Sequence, residues 1–241
     1  MGHLARFIGV ALLVAGLAMP AAAVTVGQVD TFEDGSTQGW TAGGALGTPP
    51  LPPTNIATGG PAGADDNYLQ ITAIGGGGPG SRLSVFNPAQ WAGNYIAAGI
   101  TAISMDVRNF GPDDASLRLL FADPLGGPPS NIAITDAVFV PAGGDWAPIS
   151  FAVDAASLIT VLGNPATALS KATELRIFHN PAAAFPGPPS GPPSVNLRLG
   201  VDNIQAVPEP STLILTGVGL LVAAAARVSG TPGEPSSSRA D

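Results

Sequence analysis

Few side chains beyond the first 23 residues could act as a catalytic base or an acid–base pair. His179, in the stretch RIFHNP, is the one histidine there, and no nucleophile elbow accompanies it as a Ser-His-Asp triad would require. Glu33 and Glu174 are the glutamates available for glycoside cleavage, and no spacing argument brings them together. The sequence therefore predicts a domain that is not an enzyme, in which His179 ends a strand before the turn at Pro181.

Other chemistry is limited by composition. The chain has no cysteine, so it has neither disulfides nor thiolate metal ligands. A transition-metal site needs more imidazoles than the chain owns. The run GGGGPG lacks the Lys and the Ser or Thr of a phosphate-binding loop, and no helix is predicted after it.

Two acidic segments open and close the middle of the chain. DTFEDGSTQGW covers residues 30–40 and LGVDNIQA covers 199–206, and the first and last strands of an antiparallel sandwich often lie side by side. This pair resembles the start and end of carbohydrate-binding-module-like jelly rolls, where such residues ligate a structural calcium. The resemblance implies a Ca²⁺ site charged by Glu33, Asp34 and Asp202, because Ca²⁺ takes roughly six to eight oxygen ligands. The alternative is that Asp34 forms a turn and Asp202 caps a strand end.

Aromatic side chains are the second class of candidate ligand-binding residues, because exposed rings stack on sugars. The stretch QWAGNY is the most loop-like of the aromatic segments and makes Trp91 and Tyr95 the candidates for a carbohydrate site. Large aromatic residues in a β-sandwich are usually part of the core. Core packing is therefore the first expectation for both residues.

Composition predicts a β-rich domain with long loops. The chain contains 32 glycines and 25 prolines among 241 residues, near the range in which disorder begins. Short alternating apolar runs, which disordered chains lack, argue for a folded core. The formal net charge of −8, with one lysine and eight arginines, argues against nucleic-acid partners, which need clustered cations.

The N-terminal segment MGHLARFIGVALLVAGLAMPAAAVTV has the pattern of a secretory signal peptide. Arg6 precedes an apolar run from Phe7 to Met19, which is too short for the roughly 20 residues that span a bilayer. The small residues of PAAA then predict cleavage after Ala23. The chain is therefore predicted to be exported.

The C-terminal segment AVPEPSTLILTGVGLLVAAAARV combines a proline-bracketed glutamate, an uncharged run and an arginine. Pro208 and Pro210 hold Glu209 in an extended segment. The uncharged run has no polar face of the kind that a surface helix shows. These features resemble the PEP-CTERM sorting signal, on the residues Val207, Pro208, Glu209, Pro210 and Arg227. The resemblance implies a transmembrane segment and processing by an exosortase.

Between these ends, alternating segments predict about nine strands. They are VGQVDTFE, NYLQITAI, RLSVF, TAISMDVRN, SLRLLF, NIAITDAVFV, WAPISFAVD, TELRIFHN and SVNLRLGVDNI. One short helix is predicted at DAASLITVLGN, with Asp154 as N-cap and Gly163 at its end. The tracts GTPPLPPTN and FPGPPSGPPS are predicted to be loops, because proline cannot donate ladder hydrogen bonds.

These features predict an all-β protein: an antiparallel β-sandwich or jelly roll. Its expected parts are a signal peptide (1–23), the β-sandwich domain (24–206), the sorting signal with its transmembrane segment (207–228) and a disordered polar tail (229–241). The predicted function is a non-catalytic cell-envelope or extracellular-matrix protein that an exosortase processes. Its predicted role is structural or adhesive, in a biofilm and in association with exopolysaccharide, and its predicted membrane contact is the C-terminal segment. The alternatives are a carbohydrate-binding module and a secreted hydrolase.

Overall fold

The computed structural model of the chain describes residues 23–42, 51–78, 80–124, 128–185 and 191–208. Residues 1–22 of the predicted signal peptide, and residues 209–241 with the predicted transmembrane segment and polar tail, therefore lie outside the described residues. Within them, no helix is long and apolar enough to cross a membrane.

Two antiparallel sheets of six strands each form the described fold. In chain order the elements are β1 (Val29–Asp30), β2 (Thr54–Ile56), β3 (Tyr68–Ile74), β4 (Ser84–Asn87), β5 (Ile100–Asn109), β6 (Ala115–Asp123), β7 (Asn131–Ile134), β8 (Val138–Val140), β9 (Ala147–Ala152), β10 (Ile159–Leu162), α1 (Pro165–Ser170), β11 (Leu175–His179) and β12 (Asn196–Pro208). The all-β sandwich predicted from the sequence is confirmed.

Strand order places the last strand inside its sheet. Sheet A has the order β2-β3-β12-β5-β9, and β1 also pairs with β12. Sheet B has the order β10-β7-β6-β11-β4, and β8 also pairs with β6. The predicted neighbourhood of the first and last strands is confirmed, because Val29 lies opposite Gln205 and Asp30 opposite Ile204.

Alternation of apolar and polar residues along the long strands produces the core between the sheets. In β5, the side chains of Ile103, Met105 and Val107 are buried. The inward residues of β12 and β6 meet them from the same sheet and from the opposite one. They are Leu197, Leu199 and Val201 of β12, and Leu117, Leu119 and Phe121 of β6.

The outer face of sheet B is also covered. Leu120, Ile134 and Phe178 form a second buried apolar cluster there, and Phe185 packs against it from the segment after β11. The ring centroids of Phe178 and Phe185 lie 5.1 Å apart. Phe178 is therefore buried although it alternates away from the core between the sheets.

The helix predicted at DAASLITVLGN is wrong in position. Asp154 caps a turn, where its Oδ1 accepts from the N–H groups of Ala156 and Ser157 at 2.9 and 3.0 Å. The following ITVL forms β10 instead, because β-branched residues favour strands over helices. Gly163 then turns the chain at φ +65° into α1.

The helix α1 begins at signals that the sequence analysis did not use. Asn164 is its N-cap and accepts from the N–H of Thr167 at 3.2 Å. Pro165 occupies the first helical turn, where its fixed φ is favourable and its missing N–H costs no hydrogen bond.

Two strands were not predicted. One is β10, and the other is β2, which begins at the end of the tract that was predicted to be a loop. β2 pairs only with β3 among the described strands, at the edge of sheet A, and proline-flanked strands are tolerated at sheet edges. The segment NIAITDAVFV also forms two strands, β7 and β8, rather than one.

Candidate functional site

Trp91 and Tyr95, the predicted carbohydrate-stacking pair, are fully buried. The indole N–H of Trp91 donates to Oδ2 of Asp30 at 2.7 Å, and the hydroxyl of Tyr95 donates to the carbonyl oxygen of Trp91 at 2.7 Å. Neither ring presents a face to solvent in this structure. Core packing, the first expectation for both residues, is what the structure shows.

Asp30 is the polar centre of this part of the core. Its carboxylate accepts from Trp40 Nε1 at 2.7 Å, from Trp91 Nε1 at 2.7 Å and from Gln90 Nε2 at 2.6 Å. Burial raises the pKa of Asp30, although these three hydrogen bonds act in the opposite direction. The side chain links the opening segment of the domain to the segment before β5, a structural role that the sequence analysis did not assign to it.

Two of the residues predicted to bind calcium have other partners. The carboxylate of the exposed Asp34 accepts from the N–H and the hydroxyl of Ser36 at 2.9 and 2.8 Å, and these bonds lower its pKa. This is the turn that the sequence analysis gave as the alternative. Glu33 is exposed, and its Oε1 accepts from the N–H of Asn67 at 2.9 Å, just before β3.

Asp202, the third predicted calcium ligand, is buried on the outer side of β12 and lies opposite Asp106 of β5. Its Oδ1 is buried without a hydrogen-bond partner among the described residues. Burial raises the pKa of Asp202 to about 7, and the nearby carboxylates of Asp66, Asp106 and Glu33 add to the rise. Burial and neighbouring negative charges disfavour the ionised form of Asp202, and a bound cation would offset both effects.

The carboxylates around Asp202 do not by themselves form a complete ligand set. Among the described residues, no three His, Cys, Asp or Glu side chains are arranged to hold a metal ion. Backbone carbonyl oxygens would have to supply the remaining ligands of a Ca²⁺ ion. The described structure gives Asp34 a different role, and the charge of Glu33 acts on Asp202 only as one of several contributions to its raised pKa.

His179 ends β11, as predicted, and its ring is used structurally. Its Nδ1 accepts from the backbone N–H of Ser116 at 3.0 Å. Burial lowers the pKa of His179, and the charge of Asp113 partly offsets the change. A ring nitrogen that accepts a backbone hydrogen bond is not free to take a proton from a nucleophile.

The two glutamates considered for hydrolysis are separated by the sandwich. Glu33 lies beside β3 of sheet A, whereas Glu174 precedes β11 of sheet B. Oε1 of Glu174 accepts from the Arg176 guanidinium at 2.7 Å. That guanidinium lies between the rings of Phe86 and Phe185, at 5.1 and 5.3 Å from their centroids.

An aromatic cluster that the sequence analysis did not predict lies on the outer face of sheet A. Trp146 packs edge-to-face against Tyr68 and Phe110, with ring centroids 5.2 and 6.1 Å away. The cluster covers Gly200 of β12, where an added Cβ would lie 2.6 Å from Cη2 of Trp146. Only glycine allows the indole to approach the strand this closely.

The loop between β8 and β9 carries Trp146 and is held in place from both sides. The indole N–H of Trp146 donates to the carbonyl oxygen of Gly59 at 2.9 Å. Nε of Arg108 donates to the carbonyl oxygen of Gly144 at 3.1 Å, and its guanidinium lies 4.7 Å from the centroid of Phe110. The half-buried Trp146 is therefore fixed in orientation before any ligand arrives.

A groove of about 320 Å³ lies beside this loop, between β8 and β9. Trp146 lines one part of it and Phe139, which is 63% exposed, lines another. Asp145 adds a carboxylate to a mainly apolar lining, whereas the buried amide of Asn109 is hydrogen-bonded to the backbone of Gly111, Asp113 and Val140. A concave surface with aromatic walls and a few polar groups is the usual form of a small-ligand site, and we call it the β8–β9 groove.

The start of the predicted sorting motif belongs to the folded sheet. Val207 pairs with Ala102 and Pro208 with Ile100 of β5, after an irregularity in the register. The other predicted motif residues, Glu209, Pro210 and Arg227, lie outside the described residues.

Comparison with known proteins identifies the sorting signal and the fold. Residues 206–228 match the family described as the PEP-CTERM protein-sorting motif, so the chain carries this motif and is directed to the surface as an exported protein. This confirms the resemblance found in the sequence. Comparison with curated proteins gives no match.

Solved structures share the sandwich at low identity. An exo-β-agarase structure aligns with a TM-score of 0.52 and 12% identity, over 77% of this chain and 26% of that one. The chain therefore corresponds to about a quarter of that enzyme. A family 11 carbohydrate-binding module from Clostridium thermocellum gives a TM-score of 0.46 and 13% identity, over 76% of this chain and 97% of the module. A carbohydrate-binding module specific for non-crystalline cellulose gives a TM-score of 0.44 and 14% identity, over 78% of this chain and 99% of that module.

Proposed function

We propose that this chain is an exported cell-envelope protein, processed by an exosortase, whose β-sandwich binds a polysaccharide in the β8–β9 groove. The observation that carries the binding proposal is the rigid placement of Trp146 at a groove that also holds the exposed Phe139. Exosortase processing is supported by the match of residues 206–228 to the sorting motif. The structural or adhesive role in a biofilm stays a prediction, and exopolysaccharide binding would be its molecular basis.

The geometry of the groove suits a sugar ring. Aromatic faces stack on the apolar side of a pyranose, while a carboxylate can bond its hydroxyls. The carboxylate of Asp145 is fully exposed beside the groove, with its Oδ1 3.7 Å from the Arg108 guanidinium, and is therefore accessible to a ligand. Because Trp146 is already fixed by its neighbours, binding costs little additional ordering of the ring.

The test is glycan-array screening of the mature protein, followed by titration of the best polysaccharide. Trp146→Ala and Phe139→Ala should each weaken binding about tenfold or more, which corresponds to about 1.4 kcal/mol. Ile96→Ala is the matched control, since Ile96 is an exposed apolar residue away from the groove. Phe139 is largely exposed, so its variant should fold even if the Trp146 variant does not.

Three results would count against the proposal. Absence of binding on a broad array would remove the binding function, and equal losses in all three variants would place the site elsewhere. Release of reducing ends from the polysaccharide would favour the hydrolase alternative instead.

We also propose that Ca²⁺ binds next to Asp202, with Glu33 and backbone carbonyls as further ligands. The unpartnered buried Oδ1 of Asp202 supports this placement, while Asp34 is bonded within its own turn. Thermal unfolding with CaCl₂ and with a chelator tests it: calcium should raise the Tm, and Asp202→Asn should abolish the difference. An unchanged Tm in the unmodified protein would rule out a stabilising site.

A further inference from the structure

Both ends of the described chain meet at one end of the sandwich. The N–H of Gly27 donates to the carbonyl oxygen of Ala206 at 2.9 Å, and the N–H of Ala206 donates to the carbonyl oxygen of Gln28 at 3.0 Å. The segment before β1 is anchored there by Val24, whose N–H donates to the carbonyl oxygen of Ala92 at 2.8 Å. The end of the sandwich that contains the last residues of β12, from which the sorting segment continues, therefore also contains the first described residues.

This end carries exposed apolar side chains. Val26 is 43% exposed and Ile96 is 51% exposed. Both line a groove of about 580 Å³ together with Ala98, Ile100 and Pro208. We call the surface formed by these five residues the apolar end.

Charge is nearly absent from the apolar end. Among the described residues that line its groove, Asp154 is the one charged residue. The Asp154 carboxylate already accepts from the N–H groups of Ala156 and Ser157. Val26 and Ile96 are therefore exposed on a part of the surface where only one of the groove-lining described residues carries a charge.

The length of the chain beyond Pro208 limits what can cover this surface. Three residues, Glu209, Pro210 and Ser211, separate Pro208 from the uncharged run that begins at Thr212. An extended chain advances at most about 3.6 Å per residue, so Thr212 lies within about 14 Å of Pro208. The headgroup layer on each side of a bilayer is only roughly 5–8 Å thick.

We propose that the apolar end lies against the headgroup region of the membrane that holds the C-terminal uncharged run. This inference rests on the proposed exosortase processing and on the predicted insertion of that run into the membrane before processing. With so short a connection, the surface around Pro208 is the part of the domain nearest to the lipid. Burial of Val26 and Ile96 in the interface follows the same rule as other interfacial apolar faces.

Because the chain has no native cysteine, a single introduced cysteine can be labelled selectively. Ile96→Cys and Val26→Cys variants of the full chain are exported in a Gram-negative host without an exosortase. They are labelled with an environment-sensitive fluorophore and reconstituted into phosphatidylethanolamine–phosphatidylglycerol vesicles that contain a nitroxide-labelled lipid. Ile74→Cys is the matched control, because Ile74 is 59% exposed and pairs with Asn196 at the opposite end of β12.

The expected result is several-fold stronger quenching at positions 96 and 26 than at position 74, in protein that floats with the vesicles. Floating protein with equal quenching at all three positions would overturn the inference and leave the proposed membrane insertion intact. Protein that does not float would contradict the membrane insertion itself, and the inference would fail with it.

Discussion

The indole N–H of Trp91 donates to Oδ2 of Asp30 at 2.7 Å, across 61 positions of sequence. The same oxygen accepts from Trp40 Nε1 at 2.7 Å, so one carboxylate orients both fully buried indoles. Their ring centroids lie 6.4 Å apart. This arrangement gives Trp91 the core position that was its first expectation, through a polar contact that fixes the beginning of the domain to its core.

Asp30→Ala should destabilise the domain strongly. The substitution leaves two indole N–H groups buried without an acceptor, which we expect to cost about 2–4 kcal/mol in the free energy of unfolding. Asp34→Ala, four residues along, is the control and should lower the Tm far less, because Asp34 is exposed and bonded only within its turn. Chemical denaturation and near-ultraviolet circular dichroism measure both effects. Equal losses in the two variants would contradict the assigned role of Asp30.

Gly200→Ala should displace Trp146 from the outer face of sheet A. The new methyl group would lie 2.6 Å from the indole and 3.0 Å from the ring of Phe110, which we expect to cost about 1–3 kcal/mol. The variant should also lose polysaccharide binding, since Trp146 lines the β8–β9 groove. Gly77→Ala, where an added Cβ meets nothing within 4 Å, should leave stability and binding unchanged. Full binding by the Gly200 variant would place the ligand elsewhere.

Acidification should destabilise the fold through His179. Because the pKa of His179 is lowered from 6.5 by burial, the unfolded state binds more protons than the folded state just below pH 6.5. The stability that His179 contributes is therefore complete above pH 6.5 and is lost as the pH falls through its folded-state pKa. Protonation also breaks the bond from Ser116 to Nδ1.

The measurement is Tm against pH for the native chain and for His179→Gln. The difference in Tm between the two should shrink as the pH falls from about 7.5 to about 5.5. Comparing variants is necessary because the raised pKa values of Asp30 and Asp202 give stability changes of the opposite sign. A difference that is constant with pH would show that His179 does not titrate in this range.

Processing should shorten the chain when an exosortase is present. Mass spectrometry of protein produced in a host that has an exosortase should show an N-terminus at Val24 and a C-terminus near the sorting motif. Glu209→Ala should instead yield protein that runs to Asp241, because the motif is altered while the described fold, which ends at Pro208, is untouched. Shortened protein from the Glu209 variant would indicate cleavage by an unrelated protease.

Sequence patterns predicted the strands well where apolar and polar residues alternate regularly. They predicted poorly where contacts between distant segments determine the local structure. The long strands β5 and β12 alternate cleanly, and both were predicted as strands. β10 was mistaken for helix because an apolar run of four residues has no clear period, although Ile159, Thr160 and Val161 are all β-branched. β2 was missed because the preceding prolines dominated the interpretation.

The candidate site was harder to predict than the fold. Trp146, Tyr68 and Phe110 lie in three separate segments, and only the folded sheet brings them together. The one local signal was Gly200, since a glycine within a strand often marks the close approach of another group. The loop-like sequence around Trp91 made it a candidate stacking residue beside the expectation of core packing, and the buried Asp30 carboxylate that holds the indole is 61 residues away.

The position of β12 has a consequence for the order of events during secretion. This strand pairs with β1, β3 and β5, yet it is the last described element and contains the first residues of the sorting motif. Sheet A therefore cannot be completed until the last part of the domain has been synthesised. We expect the domain to finish folding only when these residues are available, so that the strand that completes the sheet also leads directly into the cleavage signal.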